Sequence, residues 1–335
     1  MNSTPKRSNA LVWNVLKIIL ALILVGIIIS RTDLTSLLQT LRTASIFWLS
    51  ISIVIFLLLT LLKAFQYYVL FRNGLTYFQV LNAVILQNAI SNYLAPSAGI
   101  ASYLTVFRVE HGVKISRSVL IFLLTKIGDL TAIWLALLIS SSLIWSRIRT
   151  LQIPILILLT GIGLVIVLFF LTVIFRQKFV ATLSGILGWL KLSKIRFVEN
   201  GIRYLQSLAD MEQGKVLATF GLLLIYSFVY MAVTIFYTYT NLNVFHLQLD
   251  FLSVALVTVL IQLVSYFPIS VLGGLGVTEA SALYFWGFLG IPDNVLVPAL
   301  IGSRIVFYVV NLIPLIYLPV YSAFLKPKAQ AQNEQ

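Results

Sequence analysis

The sequence predicts an all-α polytopic integral membrane protein with about six full transmembrane helices and two broken, re-entrant hairpins. Three observations carry this reading. Apolar residues make up 60% of the chain and charged ones 10%, with a mean hydropathy of +1.02, so the core must sit in lipid. The formal charge of +13 is spread over short segments between apolar spans, which is topological bias and not a soluble nucleic-acid-binding domain. Two Pro- and Gly-containing breaks interrupt apolar runs, and freed backbone groups survive in a bilayer only where protein buries them or water reaches them.

The cytoplasmic N-terminus, residues 1–10, carries Lys6 and Arg7 and precedes an apolar run over 11–30. That run is long enough to span, and no small-x-small cleavage site follows, so it reads as a retained helix, not a signal peptide. Lys17 lies near its cytoplasmic end and snorkels. A second span covers 45–70, with Lys63 in its last two turns, again read as snorkelling. Residues 78–94 are barely long enough to cross and carry Asn82, Gln87, Asn88, Ser91 and Asn92, a density of amides that is costly against lipid. They run into the first break, around Pro96.

The span over 116–145 holds Lys126 and Asp129. Three apart on a helix, these share a face and are expected to pair, as a site or as plain bundle architecture. A further span covers 153–175. The basic segment 176–215 is placed in the cytoplasm, and within it Val198, Ile202, Leu205 and Ala209 recur at helical spacing, predicting a surface helix. Residues 216–240 span, and 241–250, without Lys or Arg, face outward. Residues 251–267 lead into the second break, with Pro268, Gly273, Gly274, Gly276 and the lone carboxylate Glu279. Two readings of Glu279 stay open: a buried site residue, or an acid answering the helix dipole at a surface turn. A short helix over 280–289 and a last span over 294–324, containing Arg304, complete the domain. Lys326 and Lys328 put the C-terminus inside, and 326–335 read as a disordered tail. Residues 251–271 are long enough to cross outright, so eight crossings are an alternative.

An internal echo links the two halves. Asn92-Tyr93-Leu94-Ala95-Pro96-Ser97 parallels Ser265-Tyr266-Phe267-Pro268-Ile269-Ser270, and His111-Gly112-Val113 parallels Leu289-Gly290-Ile291. Lys126 follows Val113 by the same step as Arg304 follows Ile291. The membrane domain, 11–325, therefore reads as repeat one (about 45–145) and repeat two (about 216–324), inverted if each hairpin dips and returns.

Pro96-Ser97-Ala98-Gly99, the charged helix after Gly112-Val113, and above all Gly273-Gly274-Leu275-Gly276-Val277-Thr278-Glu279 with Arg304 resemble the flippase-like membrane domain of lysylphosphatidylglycerol synthases, over roughly residues 10–325. That domain also forms stand-alone bacterial and archaeal membrane proteins, and this chain is read as one of them. The resemblance implies two inverted subdomains with re-entrant helices and the movement of a lipid across the bilayer. Where many members carry a Gly-Glu pair and a Glu-Arg pair in the first half, this chain has Gly99-Ile100-Ala101 and Thr125-Lys126.

The expected substrate-binding residues follow. Lys126 and Arg304 attract an anionic headgroup, Asp129 and Glu279 balance them, Gly273, Gly274 and Gly276 allow close backbone approach, and Asn92, Pro96 and Pro268 form the breaks. The expected partner is a membrane lipid, not nucleic acid, in the cell membrane. No cofactor or metal is expected: the chain has no Cys, and His111 and His246 are its two histidines. Two rivals remain, a membrane partner subunit that recruits another enzyme and a membrane-embedded transferase on a lipid-linked group.

Overall fold

The computed structural model describes residues 34–71, 74–113, 115–189, 196–209, 213–266 and 274–325. Among them the chain is helical, without strands. The expected span over 11–30 lies outside the described residues, as do Pro268, Gly273 and the tail from 326. The helices are α1 (Leu34–Arg42), α2 (Ile46–Phe71), α3 (Tyr77–Tyr93), α4 (Pro96–Val109), α5 (Ile115–Leu143), α6 (Gln152–Trp189), α7 (Arg196–Ala209), α8 (Gln213–Val244), α9 (Phe251–Ser265), α10 (Val277–Phe288) and α11 (Asp293–Leu312). The chain leaves α11 through a 3₁₀ turn, the short helix α12 (Tyr317–Val320) and a π turn ending at Leu325.

Five helical stretches among the described residues are long and apolar enough to cross a membrane: Ile46–Phe71, Ile121–Leu143, Arg149–Trp189, Val216–Val244 and Asp293–Ala323. They match five of the six expected spans. Their outward faces keep large apolar side chains uncovered, Phe47, Ile157 and Ile316 among them, which in lipid is the stable arrangement. The expected end of one span at Phe175 coincides with a break in α6. Arg176 takes φ 52° and ψ −136°, outside the helical region, and its Nε donates to the Ala209 carbonyl at 3.0 Å. The predicted surface helix is α7, packed against α6.

The first break, the start of the second hairpin and the two echoed turns have local causes. Thr76 caps α3, with its amide donating to Gln79 Oε1 at 2.8 Å. Pro96 has no N–H and clashes with a continuing turn, so α3 stops and Pro96 becomes the first residue of α4. Arms α3 and α4 pack tightly because of Gly99: a Cβ there would lie 1.8 Å from Ser91 Oγ and 2.7 Å from the Gln87 carbonyl oxygen. In the second half Asp250 caps α9, accepting from the Leu252 and Ser253 amides at 3.0 and 3.3 Å. The echoed glycines Gly112 and Gly290 take φ of +64° and +80°, a conformation that side-chain-bearing residues avoid, so both halves turn in the same way.

The hairpins enter from opposite faces. His246 Nε2 lies 2.7 Å from the Thr43 carbonyl and the Ser45 amide donates to the Val244 carbonyl at 2.9 Å, so α2 begins beside the end of α8. Since both helices cross, α3 starts on the face opposite to α9. Arg147, just after α5, reaches Asp250 at 3.6 Å, so α5 too ends at the α9 face and starts on the other. Hairpin α3–α4 therefore dips from one face and returns to it. Hairpin α9–α10 does the same from the other face, because the start of α11 at Leu296 packs with Leu242 and Phe245 at the end of α8. Helices α3 and α9, 17 and 15 residues long, span only about 26 and 22 Å at 1.5 Å per residue, short of a ~30 Å hydrocarbon layer. Residues 251–265 thus form an arm too short to cross by itself. Each hairpin has its own apolar core, Tyr67, Phe71, Tyr103 and Phe107 in one and Val257, Trp286 and Leu296 in the other.

Candidate functional site

The site forms where the two hairpins meet between α2, α5, α8 and α11. A cavity of about 250 Å³ is lined by Lys63, Lys126 and Asp129, together with Tyr230 and Tyr266. A second, of about 500 Å³, is lined by Glu279 and Arg304 and reaches Asn92, Pro96 and Gly274. Asn88 and Ser91 from α3, Gln262 and Ser265 from α9, and Tyr230 from α8 line both, so the two hollows share one polar, uncharged wall.

The expected Lys126–Asp129 ion pair does not form. Asp129 instead receives Lys63 Nζ at 2.6 Å, Gln66 Nε2 at 3.1 Å and Ser227 Oγ at 3.0 Å. The reason is reach: an aspartate side chain is short, and α2 and α8 bring three donors against it from outside the helix. Gly128 helps to bring α8 close, since a Cβ there would lie 3.1 Å from Ser227 Oγ. Lys63 is therefore not snorkelling. Its side chain is 11% exposed and its ammonium sits over the Tyr230 ring at 4.9 Å. Lys126 makes no ion pair among the described residues; it lies over Phe122 and Tyr266 at 5.5 and 5.2 Å, facing the smaller cavity.

Glu279 is buried, so it does not lie at a surface turn, and it also stands in the first turn of α10. One carboxylate oxygen accepts the Gly276 amide at 2.7 Å, the helix-start role, and the other faces Arg304 Nε at 3.2 Å, with side chains only 9% and 10% exposed. Gly276 and Gly274 both take positive φ in the turn before α10. Each half thus contains one buried acid–base pair.

The hairpin tips also cross to the opposite half. Asn92 Nδ2 donates to Asn311 Oδ1 at 2.6 Å and the Tyr93 hydroxyl to the Tyr308 carbonyl at 2.6 Å, tying the first tip to α11. Tyr266, its counterpart in the echo, lies over Lys126 of α5. Sequence reasoning missed Lys63, Gln66, Ser227 and Asn311. The spacing Lys63-x-x-Gln66 within an apolar helix was the available signal, because two polar groups on one face of a lipid-embedded helix need a partner.

Fold and site together define a class: an all-α, multi-pass membrane protein whose two oppositely inserted helical hairpins enclose charged residues between them. The match is to the Lysylphosphatidylglycerol synthase TM region over residues 14–314, and the chain belongs to that family. No curated protein and no solved structure matches it.

Proposed function

We propose that this protein moves a lipid with an anionic headgroup across the cell membrane, with both termini in the cytoplasm. The observation that supports it best is the charge balance of the paired cavities. Lys63, Lys126 and Arg304 face Asp129 and Glu279, which leaves one positive charge in excess, and Lys126 is the cation without an acid of its own among the described residues. A headgroup phosphate at Lys126 replaces lost water with a charge-assisted hydrogen bond. Inverted repeats with interrupted helices place transporter sites near the bilayer midplane, and the shared wall of Asn88, Ser91, Gln262 and Ser265 lies where the two hairpin arms end.

The test is dithionite quenching of a fluorescent anionic lipid in proteoliposomes. Lys126→Gln removes one charged hydrogen bond, about 1.5–3 kcal/mol, and is expected to weaken lipid handling about tenfold to hundredfold without unfolding the protein. Unchanged lipid movement in Lys126→Gln and in Arg304→Gln sinks the proposal. A constant stoichiometric membrane enzyme in the purified material, with no lipid movement, replaces it with the partner-subunit reading.

A further inference from the structure

We propose that the larger cavity receives the uncharged, hydroxyl-rich part of a lipid headgroup, a sugar ring or a glycerol; this rests on the lipid-handling reading above and names what the second half of the site recognises.

The two cavities differ in what they offer. The smaller has an excess cation. In the larger, Glu279 and Arg304 close on each other, and the second Glu279 oxygen is held by the Gly276 amide, so the charges cancel. A phosphate finds no surplus cation there. An ammonium headgroup must draw Glu279 away from Arg304, and breaking a buried pair is strongly unfavourable.

What remains is neutral hydrogen-bonding capacity in an aromatic frame. The Asn88 and Gln262 amides line this cavity, and neither makes a side-chain hydrogen bond to another described residue. On the α8 wall Tyr237 and Asn241 turn their polar groups toward each other, with Ser52 of α2 beside Tyr237, and on the α9 wall Thr258 Oγ1 is buried without a hydrogen bond among the described residues. Thr278 and Ser303 add hydroxyls from α10 and α11. A polyol is the ligand class that answers this mixture, since each hydroxyl both donates and accepts. The flat C–H face of a sugar ring also suits the aromatic surfaces of Phe56, Trp286 and Phe307. The volume, about 500 Å³, lies in the range of ligand-binding cavities, roughly 300–1,000 Å³.

The test measures binding and not transport. The full chain is held in a polyoxyethylene detergent, so that no sugar competes. Its melting temperature is then titrated with dioctanoyl lipids bearing a hexose, a phosphoglycerol or a phosphocholine headgroup. We expect the hexosyl lipid to bind at least tenfold more tightly than the phosphocholine lipid, and Asn241→Leu or the near-isosteric Thr278→Val to remove at least tenfold of that affinity. Each variant is compared with its own ligand-free melting temperature, so a folding defect is seen directly. Tightest binding by the phosphoglycerol lipid, with the same dependence on Asn241 or Thr278, identifies the polyol as glycerol. Phosphocholine binding as tight as either polyol, polyol binding untouched by both variants, or no binding at all overturns the proposal. Selective polyol binding without lipid movement in vesicles defeats the transport reading and leaves this site standing. Movement of anionic lipids that is indifferent to the polyol and to both variants does the reverse.

Discussion

Removing the Asp129 carboxylate is the most informative single perturbation of this protein. It accepts three hydrogen bonds, from Lys63 Nζ at 2.6 Å, Gln66 Nε2 at 3.1 Å and Ser227 Oγ at 3.0 Å, and the side chains of the ion pair are 10–11% exposed. Asp129→Leu strands the Lys63 ammonium in a low-dielectric site that already holds Lys126, and loss of one partner of a buried pair costs about 3–5 kcal/mol. At about 2–4 °C per kcal/mol, the midpoint of thermal unfolding in detergent falls by about 6–20 °C. Lys63→Met is milder, because Asp129 keeps Gln66, Ser227 and the nearby Lys126 charge; a loss of about 1–3 kcal/mol is expected. The double variant Lys63→Met/Asp129→Leu recovers most of the loss. Its apolar side chains need no partner, and the Gln66 Nε2 to Ser227 Oγ hydrogen bond of 2.8 Å survives. Thermal melts of the four proteins form a double-mutant cycle. A coupling energy below about 0.5 kcal/mol, or an Asp129→Leu variant as stable as the parent, refutes the reasoning.

Three other outcomes follow from the same geometry. Gly99→Ala forces α3 and α4 apart, since the new methyl meets Ser91 Oγ and the Gln87 backbone; a loss of about 1–3 kcal/mol is expected. Adding Ser91→Gly does not rescue it, because the backbone clash stays, and thermal unfolding of both variants checks this. Asn92→Ala leaves the buried Asn311 amide, and Asn311→Ala the half-buried Asn92 amide, without its partner; each costs about 1–3 kcal/mol, and their effects are not additive in chemical denaturation. Asp250 gives a pH signature outside the spans. Burial pushes its carboxyl up, but the Ser253 hydroxyl, the Leu252 and Ser253 amides and Arg147 outweigh that and hold it below the usual carboxylate range. Its contribution is therefore complete above the ordinary carboxylate value near 4 and is lost as pH falls through the depressed one. Stability of Asp250→Asn should be flatter than that of the parent below about pH 4; parallel curves exclude the linkage.

The sequence by itself determined the class, the breaks and the repeat. Hydropathy places the spans because a bilayer accepts only apolar helices of sufficient length, and Pro96 ends a helix through its own missing N–H, whatever surrounds it. The matched turns at Gly112 and Gly290 were legible for the same reason, since a positive φ is a property of one residue. Partnership was not legible. Lys126 and Asp129 stand three apart and still do not pair, while Asp129 and Lys63, 66 positions apart, do, and Asn92 meets Asn311 across 219. Periodicity fixes which face a side chain occupies, but which donor arrives at that face depends on how closely neighbouring helices approach. Only the packed structure sets those distances: Gly128 lets α8 come close enough for Ser227 to reach Asp129, and a carboxylate in lipid keeps whichever cation arrives with the best geometry.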